Sequence, residues 1–87
     1  MRIDKFLKVS RLIKRRTVAK EACDGGKITV NRRPAKAGTE VESGDMVEIS
    51  YGSKVVTVKV LETPAAISAD RAHEIYETIS EVKKELE

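Results

Sequence analysis

The stretch IDKFLKVSRLIKRRTVAKEACDGG, residues 3–26, decides the fold of this 87-residue chain. Ile3, Phe6 and Leu7 stand at the i, i+3, i+4 spacing that places side chains on one helix face. Gly25 and Gly26 end a second apolar stripe, as a glycine C-cap does. That stripe consists of Val18, Ala19, Ala22 and Cys23. The stretch therefore predicts helices over residues 3–9 and 15–24, joined by a brief connector as an αα unit.

The chain after Gly26 has the β-branched alternation that is typical of strands. We expect strands at residues 27–31, 46–51 and 54–62. Pro34 indicates a turn after the first strand, and Ser43-Gly44-Asp45 indicates a turn before the second. Gly52-Ser53 fits a two-residue hairpin loop between the second and third strands. The αα unit would pack on this small, mostly antiparallel sheet.

The C-terminal segment shows a different pattern. Thr63-Pro64 interrupts the strands, and residues 69–87 are predicted to form an acidic amphipathic helix with Ser68 as its N-cap. The apolar positions of this helix are Ala72, Ile75, Ile79, Val82 and Leu86. The predicted fold class is α+β, a single small domain over residues 1–62 that includes an extended β-hairpin. Residues 63–87 would add a linker and the C-terminal helix, which could pack on the sheet or meet a protein partner.

Charge is divided unevenly along the chain. Residues 1–36 contain twelve Lys or Arg and three Asp or Glu, a net charge of +9, whereas residues 37–87 contain five and eleven, a net charge of −6. Between Lys5 and Lys20 there is no acidic residue. Such asymmetry favours nucleic acid or another acidic surface as the partner. The alternative is an ordinary solvated helix face, although such faces commonly mix both signs.

Several kinds of chemistry have little support in the sequence. One cysteine, Cys23, allows no intrachain disulfide, and one histidine, His73, stands fifty residues from it. This pair supports neither a zinc site nor a Cys–His nucleophile. No apolar run has the length of a membrane span, and the N-terminus has no signal-peptide core. We therefore expect a cytoplasmic protein that is not an enzyme, has no cofactor or metal, and does not contact membranes.

Charge alone does not choose between DNA and RNA. Two short helices could be a helix-turn-helix that reads duplex DNA. However, the most basic stretch spans the connector and the start of the second helix, and further bases follow at Arg32, Arg33 and Lys36. A curved basic face of this kind suits the phosphates and 2′-hydroxyls of structured RNA. With only three aromatic residues, the chain has few platforms on which to stack bases.

The first half of the chain resembles the S-four RNA-binding domain. The opening Arg2-Ile3-Asp4-Lys5-Phe6-Leu7 matches the family pattern Arg-Leu-Asp-Lys-x-Leu. Further family positions are matched by Arg11, by Arg16 and Ala19, by Gly26 to Asn31, and by Val41, Gly44, Asp45 and Val47. The resemblance covers about residues 2–50. It identifies residues 1–62 as an S-four domain.

Small stand-alone members of this family suggest a specific role. The resemblance implies binding to an obstructed large ribosomal subunit through ribosomal RNA (rRNA) and peptidyl-tRNA. It implies that the protein stabilises the P-site tRNA while the partner RqcH adds an alanine tail to the stalled nascent chain. The alternative is a more general rRNA-binding protein of large-subunit recycling or the heat-shock response. In either case we expect a monomer.

The predicted RNA-binding residues are all cationic, and Asp4 is expected to orient an arginine, with Arg16 the favoured partner. The RNA-binding set is Arg2, Lys5, Lys8, Arg11, Lys14, Arg15, Arg16, Lys20, Arg32 and Arg33. Two of these depart from the family pattern. Arg15 replaces a common N-capping serine, and Arg32 replaces the glycine of a common Asn-Gly turn.

Overall fold

The computed structural model describes residues 1–84 and contains two α-helices, a 3₁₀ helix and a five-stranded sheet. The helices are α1 (Ile3–Val9), α2 (Arg16–Asp24) and the 3₁₀ helix (Ala69–Ile75). The strands are β1 (Ile28–Val30), β2 (Arg33–Pro34), β3 (Met46–Tyr51), β4 (Lys54–Val60) and β5 (Tyr76–Lys83). The predicted α+β class, the αα unit and the β3–β4 hairpin are confirmed, whereas Pro34, which was predicted in a turn, lies in β2.

Each of the two α-helices buries one of its faces. Ile3, Phe6 and Leu7 of α1 are fully buried, and Ala19 and Cys23 are the buried residues of α2. The small side chains of α2 allow close approach to α1. Val18 is 45% exposed, so its predicted place in the core is wrong. Ala19 and Cys23 stand at i and i+4, so these two side chains are sufficient to form the face of α2 that packs on α1.

Helix α2 ends in a complete Schellman motif. The N–H of Gly26 donates to the Cys23 carbonyl at 3.1 Å, and the N–H of Lys27 donates to the Ala22 carbonyl at 2.9 Å. Gly26 has φ +74°, the left-handed conformation that this motif requires and that glycine adopts without a Cβ penalty. The chain therefore leaves the helix in a defined direction and enters β1 two residues later.

All strand pairs are antiparallel, in the order β2-β1-β3-β4-β5. Pro34 lies in the edge strand β2, which is consistent with its lack of an N–H donor. Val47 and Ile49 of β3 are buried together with Val56, Val58 and Val60 of β4, in the same core cluster as α1. One face of the sheet is thus covered by the helices, and alternate residues such as Lys59 point to the other face.

The turn between β1 and β2 is a two-residue loop, because Val30 pairs with Arg33. Asn31 has φ +50° and Arg32 has φ +69°, so both central residues are left-handed, as a type I′ turn requires. The type I′ turn is therefore formed even though Arg32 replaces the usual glycine. An arginine occupies a position where glycine would have less strain.

The predicted C-terminal helix is wrong. Its first part is only the 3₁₀ helix Ala69–Ile75, and residues 76–83 form β5, which pairs with β4 along its length. Ile75 is buried, but Ile79 and Val82 are 49% and 59% exposed and do not pack on the sheet as expected. Ser68 precedes the 3₁₀ helix without a side-chain capping bond. The predicted positions Glu85, Leu86 and Glu87 lie outside the described residues.

The physical reason is the free edge of β4. An unpaired strand leaves a row of N–H and C=O groups without partners, and pairing with residues 76–83 satisfies them. Tyr76, Thr78, Ile79 and Val82 are residue types that favour strands, whereas their apolar spacing also fits a helix. The segment after residue 62 therefore completes the sheet of the domain.

Candidate nucleic-acid interface

The ten predicted RNA-binding cations lie on α1 or directly before it, on α2, on the connector between these helices (residues 10–15) and on the β1–β2 hairpin. Nine are exposed, and Lys5 is half-buried. We call this set the cationic face: Arg2, Lys5, Lys8, Arg11, Lys14, Arg15, Arg16, Lys20, Arg32 and Arg33. Within residues 1–84, only Arg2 and Arg16 of this set form salt bridges, and both do so with Asp4.

A buried carboxylate joins the two helices at this face. Oδ1 of Asp4 accepts hydrogen bonds from Arg2 Nε at 3.2 Å and from the Lys5 backbone N–H at 2.8 Å. Oδ2 accepts from Arg2 Nη2 and Arg16 Nε, both at 3.3 Å. The Asp4 side chain is 4% exposed, whereas those of Arg2 and Arg16 are each 49% exposed. The predicted pairing of Asp4 with Arg16 is present, and Arg2 shares the same carboxylate.

This arrangement keeps Asp4 ionised and leaves a net positive charge. Burial alone would raise the pKa of Asp4, but hydrogen bonds from Arg16 and the Lys5 N–H, with the charges of both arginines, lower it below its usual value. One carboxylate between two guanidinium groups leaves an excess of one positive charge. Each guanidinium has five N–H donors, so donors remain to bind a phosphate after the bonds to Asp4 are made.

Backbone hydrogen bonds hold the start of α1 in place. The Ile3 N–H donates to the Thr39 carbonyl at 2.7 Å, and the Asp4 N–H donates to the Ala37 carbonyl at 3.3 Å. Arg2 forms an isolated antiparallel bridge with Glu40. The backbone that carries Arg2 and Asp4 is therefore anchored to a distant part of the chain, which fixes where the arginine side chains begin.

The connector begins with a strained arginine. Arg11 follows the C-cap Ser10 of α1 and has φ +62°, at the position where helices commonly end with glycine. Its N–H donates to the Lys8 carbonyl at 3.0 Å. The left-handed conformation costs a non-glycine residue roughly 1–2 kcal/mol. An arginine kept at such a cost suggests a functional use of its side chain.

Tyr51 fixes the same connector from the other side of the domain. Its phenolic O–H donates to the Leu12 carbonyl at 2.7 Å, across 39 residues of sequence. Burial raises the pKa of Tyr51, so the hydroxyl keeps its proton at neutral pH. Sequence reasoning missed this residue, because no local pattern relates a strand-end tyrosine to a loop carbonyl that distant.

The start of α2 lacks the usual stabilising groups. Arg15 is the N-cap residue and makes no side-chain capping bond, and the first turn contains no acidic residue. A serine, threonine or aspartate there would typically add about 1 kcal/mol to stability. Positive charge at a helix N-terminus is also unfavourable to the helix dipole. Arg15 therefore replaces the common capping serine without supplying a side-chain cap of its own.

Arg32 and Arg33 lie apart from the helices in the chain, at the β1–β2 turn next to the sheet edge. Among residues 1–84, Arg32 is the third non-glycine residue with positive φ, after Arg11 and Asn31. Two of the three are therefore arginines of the cationic face. Local strain and cationic charge coincide at these positions, which is the pattern expected where binding rather than folding selects the residue.

Other kinds of site find no support in the part of the chain that the structure describes. Among residues 1–84, no group of three or more His, Cys, Asp or Glu side chains could hold a metal ion. Cys23 is buried, and burial raises its pKa to about 11, which disfavours the reactive thiolate. Over the same residues, no helix is sufficiently long and apolar to cross a membrane.

Comparisons with known proteins agree with this geometry. The S4 domain, which is the S-four domain named above, matches residues 1–47. An RQC P-site tRNA stabilizing factor of Halalkalibacterium halodurans is 54% identical over 85 residues, which are 98% of this chain and 92% of the relative. The factor of the same name from Streptococcus pneumoniae is 52% identical over 85 residues, 98% of this chain and 97% of the relative.

Solved structures show the same fold. The trimeric structure of Vibrio cholerae Heat Shock Protein 15 superposes with a TM-score of 0.85 at 27% identity, over 92% of this chain and 82% of that one. The solution structure of the hypothetical protein HP1423 superposes with a TM-score of 0.78 at 33% identity, over 92% of this chain and 98% of that one. The chain belongs to the S4 domain family, in the group that includes the RQC P-site tRNA stabilizing factors.

Proposed function

We propose that this protein is an RNA-binding factor of bacterial ribosome quality control. It binds obstructed large ribosomal subunits through rRNA and peptidyl-tRNA, and it stabilises the P-site tRNA while RqcH adds alanine residues to the stalled chain. It acts as a single copy in the cytoplasm and performs no catalysis. The S4 domain and the names of relatives about half identical in sequence support this role.

The observation that carries the proposal is the cationic face itself. Ten Lys and Arg residues are accessible on the helices, the connector and the first hairpin, and eight of them form no salt bridge within residues 1–84. Cations without protein partners are available to neutralise phosphates and to release condensed counterions. The ten residues would contact rRNA and tRNA, and Asp4 would orient Arg2 and Arg16 toward them.

The first test is co-sedimentation of Arg16→Ala with large subunits that carry peptidyl-tRNA. We expect about tenfold weaker binding, since a hydrogen bond to a charged group contributes about 1.5 kcal/mol or more. The slope of log affinity against log salt should fall by about one unit. Lys59→Ala is the matched control, because it removes the same charge from the sheet face opposite the helices.

Circular dichroism and the thermal midpoint would establish that both variants remain folded. Equal losses for Arg16→Ala and Lys59→Ala would show that only total charge matters and would contradict the proposed face. The step with RqcH has a separate measurement, which is alanine incorporation into the stalled chain with and without this protein. Unchanged incorporation would contradict that step and leave ribosome binding intact.

A second candidate function has one specific observation in its favour. A Heat Shock Protein 15 homolog of Aeromonas salmonicida is 34% identical over 89 residues, covering 100% of this chain and 67% of that protein. A general role in large-subunit recycling predicts binding that does not require P-site tRNA. Comparing subunits with and without peptidyl-tRNA separates the two candidates, because the first predicts a clear preference for the loaded subunit.

A further inference from the structure

A small cleft lies between the end of α1 and the segment that follows β4. Its volume is about 110 Å³, and it is lined by Lys8, Val9, Arg11, Ala65, Ala66 and Ile67. We call it the Lys8 cleft. Two of its six lining residues are cations of the cationic face, and none is acidic. A cavity that holds one water molecule has a volume of roughly 10–15 Å³, so the cleft has room for a group much larger than water.

The walls of the Lys8 cleft are fixed by the fold. Val9 and Ile67 are half-buried and pack against the hydrophobic core. The segment that carries Ala65, Ala66 and Ile67 begins at Leu61, whose N–H donates to the Ile75 carbonyl at 2.9 Å. On the other side, the N–H of Arg11 donates to the Lys8 carbonyl, which fixes the backbone from which the two cations extend. The cleft is thus a shaped part of the domain.

The Lys8 cleft is lined by four aliphatic side chains and by two cations. That combination suits a ligand with a flat apolar body and a negative group, and an unstacked nucleotide has both. Its base can lie against Val9, Ile67 and the alanine methyl groups, and its phosphate can meet Lys8 or Arg11. An arginine plane can also stack on a base. Proteins commonly read RNA through unstacked bases of loops and bulges.

We propose that the Lys8 cleft binds one unstacked nucleotide from a loop or bulge of the RNA that covers the cationic face. The inference rests on the proposed RNA-binding function and adds a recognition element to it. Phosphate contacts elsewhere on the face would position the RNA without reading its sequence or structure. The cleft would then select RNA that can extrude a nucleotide at that point, and this use accounts for an arginine held at positive φ.

The first experiment locates what enters the cleft. Ala66→Cys would be labelled with a thiol-reactive photocrosslinker and bound to large subunits that carry peptidyl-tRNA. Labelling is selective because Cys23 is buried. We expect a crosslink to one or two nucleotides of a loop or bulge. A crosslink to a ribosomal protein, or to a continuously paired helix, would overturn the proposal. Ser53→Cys, at the exposed β3–β4 turn, is the matched control.

The second experiment fills the cleft without changing charge. Ala66→Leu should weaken binding to the same subunits by about tenfold, because its extra carbons occupy the space that the base would fill, and Ala66→Ser should bind as the wild type does. Ala66 is exposed, so both variants should fold, which circular dichroism would verify. Wild-type affinity of Ala66→Leu would overturn the cleft proposal alone. Failure of the wild-type protein to bind subunits would overturn the proposed function as well.

Discussion

The two ends of α2 differ sharply although the helix is only nine residues long. The C-terminal end is closed by two glycines, a left-handed Gly26 and both Schellman hydrogen bonds. The N-terminal end has two arginines, no side-chain cap and no acid in the first turn. Folding alone would favour serine or aspartate there. The C-terminal end thus favours folding, and the N-terminal end has the residues that the proposed contact with RNA phosphates requires.

A tertiary contact offsets the poor start of α2. Arg16 is its first residue, and the bond from Arg16 Nε to buried Asp4 attaches this end of the helix to α1. One contact therefore holds the helix and aims the guanidinium group. Substitutions at each end of α2 can therefore distinguish effects on stability from effects on binding.

The largest expected effect is that of Asp4→Asn, which would break the attachment at the start of α2. We expect a loss of about 2 kcal/mol in the free energy of unfolding at pH 7, because the three charge-assisted hydrogen bonds that Arg2 and Arg16 donate to Asp4 are weakened. The pKa of Asp4 is lowered in the folded state, so its contribution is complete above the unfolded pKa of about 3.9 and disappears as pH falls through the folded pKa.

Urea unfolding at several pH values would measure how the contribution of Asp4 to stability depends on pH. The difference between the wild type and Asp4→Asn should be constant near neutral pH and shrink as pH falls below about 4. Glu21→Gln is the control, since it removes an exposed charge from α2 that forms no salt bridge within residues 1–84. A deficit of the same size at pH 7 and pH 3 would contradict an ionic origin.

The next effect concerns the C-terminal end. Gly26→Ala should lower stability by about 1–2 kcal/mol, because a residue with a Cβ resists the left-handed conformation at φ +74°. Binding to large subunits should be unchanged once the protein is folded, since this end carries none of the cationic face. Gly52→Ala is the control, because Gly52 has open space for a Cβ and its φ is not positive. Equal destabilisation by both would show that strain at Gly26 is not the cause.

The smallest effect has the opposite sign. Arg15→Ser should raise stability by about 1 kcal/mol, because it adds a side-chain cap and removes a positive charge from the helix N-terminus. The same change should weaken ribosome binding and reduce its dependence on salt. Thermal unfolding and co-sedimentation would measure the two effects on one variant. If Arg15→Ser were more stable and bound equally well, Arg15 would have no role on the cationic face.

Much of the α-helical part could be predicted from local pattern. The spacing of Ile3, Phe6 and Leu7 and the Gly25-Gly26 stop specify α1 and α2, because helix periodicity and capping act within one or two turns. The cationic face could be predicted because the positions of Lys and Arg are read directly from the sequence. The Asp4–Arg16 pair was predicted from electrostatics, because a carboxylate among cations would repel phosphate and is better suited to orient an arginine, but its geometry across twelve residues came only from the structure.

The C-terminal segment shows where local pattern failed. Ile75, Ile79 and Val82 fit a helical stripe, yet residues 76–83 form a strand because β4 offers an edge with unpaired backbone groups. That edge exists only after the sheet has formed. The type I′ turn at Asn31-Arg32 is a related case, since strand pairing imposes positive φ on an arginine that would otherwise avoid it.

The amino-acid sequence by itself determined the αα unit, the β3–β4 hairpin and a strongly basic first half, because these depend on neighbours along the chain. The tertiary structure decided which groups support that basic face: Tyr51 bonded to the connector, Arg2 and Arg16 sharing Asp4, and Ala65 to Ile67 facing Lys8 across a cleft. The tertiary structure also decided that residues 76–83 form a strand and not a helix. Each of these depends on groups far apart in sequence, whose meeting is set by the packed core and the hydrogen-bonded sheet.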